Sequence, residues 1–147
     1  MTVGLVCGTF DLCHAGHVQL LREARRACSW LVVGVQEDPS LVEDAAYRQE
    51  TRGAPKHRPV LSLEERLVVL RAIRYVDAVF TYGSEASLVA WLKSTHVDVR
   101  IFGEDWRGKP YTGQALGHEA VFVPLFEHGG CVISSSGIRQ RVLAEGV

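Results

Sequence analysis

Short apolar runs alternate with amphipathic stretches along this chain of 147 residues. The runs with the length of β-strands are residues 3–7, 30–35, 78–82, 97–102 and 120–125. The run at 30–35, Trp-Leu-Val-Val-Gly-Val, is continuously apolar, which is typical of a strand covered on both faces.

Helical patterns separate these strands. Residues 15–28 repeat apolar side chains at helical intervals, with arginines between them. Ser62 and Glu65 form a capping-box pattern and predict a helix that includes Leu67, Leu70 and Ile73. Further helices are predicted at 87–94 and from Ser134 or Ser135 onward through Ile138 and Leu143.

The alternation of strands and helices predicts the fold class. Strands joined by helical crossovers form a parallel sheet, so residues 1–147 are expected to form one α/β domain, a Rossmann-like five-stranded parallel sheet flanked by helices. In such sheets ligands bind beyond the carboxyl ends of the strands. Four polar segments fall there, which are residues 8–17, Asp38, residues 103–106 and the Ser134 helix start.

The polar stretch at 36–58 is predicted to be a long loop with one short helix around residues 41–47. Its basic positions are Arg48, Arg52, Lys56, His57 and Arg58. They form either a basic lid that closes over a substrate or a solvated loop.

Composition excludes several function classes. The net charge of −1 gives no basic surface for nucleic acid or an acidic membrane. The chain has no run of 18 apolar residues and no signal-peptide pattern, so a cytoplasmic location without a membrane partner is expected. The four cysteines form no Cys-x-x-Cys pair and are expected to be reduced thiols.

The segment 8–17, Gly-Thr-Phe-Asp-Leu-Cys-His-Ala-Gly-His, follows the first strand and enters a helix. His14 and His17 share one helical face in its first turn, where unpaired N–H groups and the positive dipole end attract phosphate. A zinc site would need a third ligand, which the spacing does not supply. Gly8, Thr9 and Asp11 argue against incidental histidines, because they can shape a turn around a ligand.

A second anion site is predicted at residues 133–139, Ile-Ser-Ser-Ser-Gly-Ile-Arg. Serine hydroxyls and free N–H groups at a helix start favour phosphate, although a plain serine N-cap gives the same pattern.

Segment 8–17 resembles the signature of the HxGH nucleotidyltransferase superfamily. Residues 63–66, 73–77, 103–109 and 133–136 resemble, in the same order, segments of glycerol-3-phosphate cytidylyltransferases. The resemblance implies transfer of CMP from CTP to a small phosphorylated acceptor, glycerol 3-phosphate or a similar polyol phosphate or phosphonate, with release of pyrophosphate. It also implies Mg²⁺ on the triphosphate and a homodimer formed through residues 73–77, where Arg74 and Asp77 can pair across a two-fold axis.

The resemblance also assigns roles. The implied catalytic residues are His14, His17 and Arg66. The implied nucleotide-binding residues are Gly8, Thr9, Phe10, Asp11, Gly16, Lys56, Gly103, Asp105, Ile133, Ser134, Ser135 and Arg139. The implied acceptor-binding residues are Asp38, Arg74 and Trp106. No direct metal ligand is predicted by spacing.

Several of these residues have a structural alternative. Arg66 and Arg74 can be solvated helix-surface arginines, Asp38 a turn residue before Pro39, and Trp106 a core residue. The chain also departs from the pattern, because Gly137 stands where relatives often have lysine and residues 127–131 lack an arginine found before the serine segment. Two other functions therefore stay open, an ATP-dependent adenylyltransferase and a non-catalytic nucleotide-binding module.

Overall fold

A computed structural model describes residues 1–41 and 57–146. Its main sheet has five strands in the order β3-β2-β1-β4-β5, and each neighbouring pair is parallel. The strands are β1 (Val3–Gly8), β2 (Trp30–Gln36), β3 (Ala78–Tyr82), β4 (Val99–Gly103) and β5 (Glu119–Val123). The predicted fold class, a five-stranded parallel Rossmann-like sheet, is confirmed.

Within residues 1–41 and 57–146, four α-helices flank the sheet. They are α1 (Ala15–Arg26), α2 (Leu63–Arg71), α3 (Glu85–Ser94) and α4 (Ser135–Ala144). Single 3₁₀ turns lie at Pro39–Leu41, Glu104–Trp106 and Gln114–Leu116. Most of the short helix expected around residues 41–47 falls outside the described residues.

The helix starts follow their capping residues. Ser62 caps α2 with the predicted capping box, and Ser134, rather than Ser135, caps α4. Helix α3 begins two residues before the predicted start, because the Ser84 hydroxyl accepts the Ser87 N–H at 3.1 Å.

Apolar side chains cover both faces of the sheet. On one face α1 and α2 bury Leu21 and Leu70 against Val6 and Val33. On the other face α3 buries Leu88 and Leu92 against Leu5 and Val32. Two-sided cover explains the continuously apolar sequence of β2.

A small hairpin was missed by the sequence pattern. Strands β6 (Glu127–His128) and β7 (Cys131–Val132) pair antiparallel outside the main sheet. Gly129 and Gly130 join them with φ of 61° and 80°, which suits glycine in a two-residue hairpin turn.

The topology places the site. The chain moves from β1 to β2 on one side and reaches β4 on the other, so the connections diverge at the carboxyl ends of β1 and β4. Such a switch point leaves a crevice for ligands. Within residues 1–41 and 57–146, no helix is long and apolar enough for a membrane span.

Candidate functional site

A cleft of about 650 Å³ opens beyond the carboxyl ends of β1 and β4. Most of the residues that sequence reasoning selected line it together. These are Gly8, Thr9, Phe10, Asp11, His14, Gly16, His17, Gly103, Asp105, Trp106, Ile133, Ser134, Ser135 and Arg139. The predicted phosphate ligand Lys56 lies outside the described residues.

The turn between β1 and α1 has an unusual backbone. Phe10 and Leu12 have φ of 54° and 57°, the left-handed region that costs a non-glycine residue about 1–3 kcal/mol. Phe10 is buried, and its ring lies 5.2 Å from the ring of His17, centroid to centroid. Packing of Phe10 therefore contributes to holding the strained turn in place.

The Asp11 carboxylate anchors the same turn. It is 5% exposed and accepts the Val60 N–H at 2.8 Å and the Leu61 N–H at 2.9 Å. It also pairs with the Arg139 guanidinium. Burial alone would raise the pKa of Asp11, but these three donors outweigh burial and hold the pKa below its usual value. Asp11 is thus an anion that ties α2 and α4 to the turn.

The two histidines form the capping box of α1. His14 is the N-cap, and its Nδ1 accepts the Gly16 N–H at 3.0 Å. The Nδ1 of His17 accepts the His14 N–H at 3.3 Å. The rings stack with centroids 3.9 Å apart and planes at 26°. Sequence reasoning placed both rings in the first turn but missed their capping role, which serine and glutamate usually fill.

These hydrogen bonds set the tautomer of both rings. A ring nitrogen that accepts an N–H carries no proton, so each neutral ring is assigned its proton at Nε2. Burial lowers the pKa of both rings, and that of His17 falls to about 4, with a further contribution from His14 that Asp11 opposes. At neutral pH each ring therefore offers one uncharged Nε2–H donor.

The start of α4 forms the opposite wall. The Ser134 hydroxyl accepts the Gly137 N–H at 3.0 Å, and the Ser135 hydroxyl donates to the Asp11 carbonyl at 2.8 Å. The remaining first-turn N–H groups have no intrahelical acceptor and lie at the positive end of the helix dipole.

Gly16 allows the two helix starts to approach. A Cβ there would lie 2.9 Å from His14 Cε1, closer than real Cβ contacts come, and 3.1 Å from the Ile133 carbonyl oxygen, which is tighter than most. The histidine pair and the serine segment therefore meet at one cleft, with two helix amino ends directed to it.

The Thr9 hydroxyl is an unusual part of this lining. Its Oγ1 is buried and has no hydrogen-bond partner within the described part of the chain. Buried hydroxyls normally form hydrogen bonds, so the unpaired Thr9 hydroxyl favours binding of a polar ligand in the cleft.

Arg66 does not line the cleft and instead binds backbone carbonyls of the segments next to it. It is 2% exposed and donates to the carbonyls of Thr9 (3.0 Å), Gln36 (2.8 Å), Leu61 (3.3 Å) and Glu37. The alternative of a solvated surface arginine is wrong. These contacts fix the ends of β1 and β2, and direct contact with the reacting atoms stays a prediction.

Two of the acceptor-binding predictions fall outside the cleft lining. Arg74 is exposed, precedes β3, and so lies at the amino edge of the sheet, opposite the cleft, where it donates to the Tyr75 hydroxyl at 2.9 Å. The Asp38 carboxylate accepts the Ser40 N–H at 3.0 Å and its hydroxyl, which matches the turn alternative. Trp106 does line the cleft.

Sequence reasoning missed an apolar part of the wall. Leu125 and Phe126 lie two and three residues after the end of β5, and Val132 belongs to the hairpin. Their position after a strand's carboxyl end was the signal that could have found the first two.

Among the described residues, no group of three or more His, Cys, Asp or Glu side chains could hold a metal ion. Mg²⁺ commonly uses one or two carboxylates together with substrate phosphates, and the exposed Asp105 carboxylate in the lining fits such a shared site.

A comparison with protein-family models identifies the family. The model described as cytidylyltransferase-like matches residues 5–141. The chain belongs to the cytidylyltransferase-like family. The predicted membership in the HxGH nucleotidyltransferase superfamily is thereby confirmed, and the chain has nucleotidyltransferase relatives.

Relatives of this cytidylyltransferase-like chain include two kinds of larger protein. The bifunctional protein HldE of Gluconacetobacter diazotrophicus is 37% identical over 120 residues, which are 82% of this chain and 23% of HldE. The ethanolamine-phosphate cytidylyltransferase of Arabidopsis thaliana is 44% identical over 72 residues, 49% of this chain and 15% of that protein. The chain thus spans about a quarter or less of these relatives.

Solved structures share the fold. The lipopolysaccharide core biosynthesis protein of Thermoplasma volcanium aligns with a TM-score of 0.58 at 21% identity, covering 87% of this chain and 98% of its own. The pantothenate synthetase of Thermus thermophilus aligns with a TM-score of 0.62 at 22% identity, covering 98% and 65%. At these identities the likeness supports the Rossmann-like fold alone.

Proposed function

We propose that this protein transfers CMP from CTP to a small phosphorylated acceptor, with glycerol 3-phosphate as the first choice, and releases pyrophosphate. The observation that carries the proposal is the meeting of two imidazole Nε2–H donors and two helix amino ends at one cleft. Helix amino ends and neutral N–H donors bind polyphosphate without a proton transfer.

The reaction needs little base catalysis. A phosphomonoester acceptor is mostly dianionic at neutral pH, so its oxygen can attack the α-phosphorus directly. The bond between that oxygen and the α-phosphorus forms, the bond from the α-phosphorus to the oxygen bridging to the β-phosphate breaks, and pyrophosphate leaves with the electron pair. Catalysis of such transfers comes mainly from positioning and from stabilising charge.

The residues divide this work by position. The Nε2–H groups of His14 and His17 donate to oxygens at the α-phosphate, where charge develops. The first turn of α4, with Ser134 and Ser135, binds the β- and γ-phosphates. Asp105 would be the side-chain ligand of a Mg²⁺ ion bound to the triphosphate, and that ion would supply neutralising charge.

The acceptor assignment draws on the resemblance and on one relative. The Arabidopsis relative is named for ethanolamine phosphate, which is also a small phosphomonoester. Trp106 and His57 lie in the cleft lining and are the proposed contacts for the acceptor. Arg74 lies at the opposite edge of the sheet, so it is not proposed to bind an acceptor in the cleft of its own chain.

A pyrophosphate-release assay tests the function. Each of the four nucleoside triphosphates is combined with Mg²⁺ and with glycerol 3-phosphate, ethanolamine phosphate or a small phosphonate. The proposal expects release with CTP and a phosphorylated acceptor together, and neither alone. Preference for ATP would establish the adenylyltransferase alternative, and tight CTP binding without pyrophosphate from any acceptor would establish a non-catalytic module.

We further propose a homodimer formed through residues 73–77, in the cytoplasm. In the dimer, Arg74 of one subunit would pair with Asp77 of the other. Asp77 already has partners in its own chain, because it accepts the Leu31 N–H at 2.7 Å and forms an ion pair with Arg25 at 3.3 Å. Sedimentation that gives a monomer at working concentration would remove the dimer.

A further inference from the structure

Arg100 is a buried cation on the central sheet that the proposed chemistry does not use. It lies within β4, is 3% exposed, and pairs in register with Leu5 of β1. Residues opposite each other point to the same face, so Arg100 projects among the apolar side chains under α3. A charge in such a place requires partners.

Two partners of Arg100, Tyr111 and Thr112, come from the loop that follows the cleft wall. The Nη1 of Arg100 donates to the Thr112 carbonyl at 2.8 Å. Its guanidinium carbon lies 5.3 Å from the ring centroids of both Phe102 and Tyr111. The side chain thus binds the loop by one hydrogen bond and one cation–π contact, and it also packs against Phe102 of its own strand.

Glu85 and Gln36 hold the same loop from the other side. The Thr112 hydroxyl donates to Glu85 Oε2, and Gln36 Nε2 donates to Glu85 Oε1 at 3.2 Å. Because the Gln36 carbonyl is bound by Arg66, the network continues to the turn that carries Thr9.

Gly113 shows that the close approach is built into the loop. Its φ is 81°, and a Cβ there would lie 2.6 Å from Leu92 Cδ1 and 3.2 Å from Arg100 Nη1. Only glycine lets the backbone pass this near to the guanidinium without strain.

The anchored loop begins in the cleft. Asp105 and Trp106 line the cleft, and the chain then runs directly to Tyr111 and Thr112. Phe102 joins both ends, since its ring centroid is 6.2 Å from that of Trp106 and 4.4 Å from that of Tyr111.

We propose that Arg100 is a positioning residue, which fixes the segment from Trp106 to Thr112 and thereby sets the affinity for the acceptor that contacts Trp106. The proposal rests on the proposed function. Small misplacements of binding groups have large kinetic costs, so loss of the anchor should act through the wall rather than through the histidines.

Kinetics of Arg100→Met and Arg100→Lys test this role. Methionine removes the charge and the donors, and we expect the KM for the acceptor to rise about tenfold, with the KM for CTP and kcat within about twofold. Lysine keeps the charge and one donor and should recover part of the loss. Arg26→Met is the matched control, because Arg26 is exposed at the end of α1, pairs with Glu23 outside the cleft lining, and leaves the Arg100 anchor intact.

A second variant covers the case in which Arg100→Met does not fold. Thr112→Val removes the hydroxyl bond to Glu85 without burying a charge, and it should raise the same KM by about threefold. Equal changes in both KM values, or a fall in melting temperature alone with unchanged KM values, would make Arg100 a purely structural residue and overturn the proposal.

A measurement that does not depend on enzyme turnover separates the anchoring role of Arg100 from the proposed function. With Trp30 and Trp91 replaced by phenylalanine, Trp106 is the one remaining tryptophan. Arg100→Met should then increase acrylamide quenching of Trp106 fluorescence by about twofold or more. Unchanged quenching contradicts the anchor, whereas absence of pyrophosphate release from the wild-type protein contradicts only the proposed function.

Discussion

At the scale of single residues, each histidine of the cleft divides its two nitrogens between structure and chemistry. The Nδ1 atoms of His14 and His17 accept backbone N–H groups and start α1. The Nε2–H groups remain as neutral donors, so the same hydrogen bonds that cap the helix fix the tautomer that can bind phosphate. Removing a ring therefore removes a cap and a donor together.

A double substitution separates these two roles. His14→Ser with His17→Gln replaces the histidine box by the ordinary Ser-x-x-Gln capping box, so the melting temperature should change by only a few degrees. Both imidazole donors are lost, and kcat/KM for pyrophosphate release should fall by at least about a hundredfold. Activity within tenfold of wild type would contradict the assigned role, and His14→Ala with His17→Ala serves as the control that lacks both cap and donors.

The lowered pKa of His17 predicts how stability depends on pH. A histidine with a pKa of about 4 in the folded protein and 6.5 when unfolded favours folding above pH 6.5, and this contribution is lost as pH falls toward 4. Between pH 7 and pH 5 the loss should be about 2 kcal/mol. Urea unfolding of wild type and His17→Gln measures it, and an equal pH dependence in both would contradict the burial of a neutral His17.

Burial of charged residues was the part that sequence could not give at this scale. Arg66 follows a capping box, and Arg100 lies within an apolar strand. Both can be buried because their guanidinium groups donate to backbone carbonyls of other segments of the chain. Only the folded chain brings those carbonyls together, so neither position carried a local signal.

At the scale of elements, Asp11 joins the turn after β1 to the start of α2 and to α4. Its partners are two backbone N–H groups and the Arg139 guanidinium, whereas the Asp38 carboxylate accepts hydrogen bonds from Ser40 in a local turn. Substituting each carboxylate in turn therefore measures how much the contacts of Asp11 between elements contribute to the free energy of unfolding.

Asp11→Ala should lower the free energy of unfolding by about 2–4 kcal/mol, because it leaves two N–H groups and a partly buried cation without a partner. Asp38→Ala should cost about 1 kcal/mol or less. Chemical denaturation measures both, and equal losses would show that Asp11 does not join these elements.

Element boundaries were predictable where capping or apolar runs mark them. Ser62 predicted the start of α2, Ser134 is the one of two candidate serines that caps α4, and the run at 78–82 matches β3. The hairpin of β6 and β7 was missed because two-residue strands show no periodicity, although the Gly129-Gly130 pair was a turn signal.

At the scale of the whole molecule, the strand order creates the crevice, and the amino ends of α1 and α4 line it. A ligand site beyond the carboxyl ends of the strands was predictable from alternating strands and helices, whereas the strand order that puts the switch point between β1 and β4 is seen only in the fold. That α1 and α4 meet there depends on Gly16 and on the Asp11 carbonyl bound by Ser135, contacts that unite residues more than 100 positions apart.

The crystal structure of the protein with Mg²⁺ and a non-hydrolysable CTP analogue tests the central claim most directly. We predict that Nε2 of both His14 and His17 lies within hydrogen-bond distance of α-phosphate oxygens, with the β- and γ-phosphates on the first-turn N–H groups of α4. A triphosphate bound away from the two imidazoles, or in contact with only one of the two helix starts, would contradict the account.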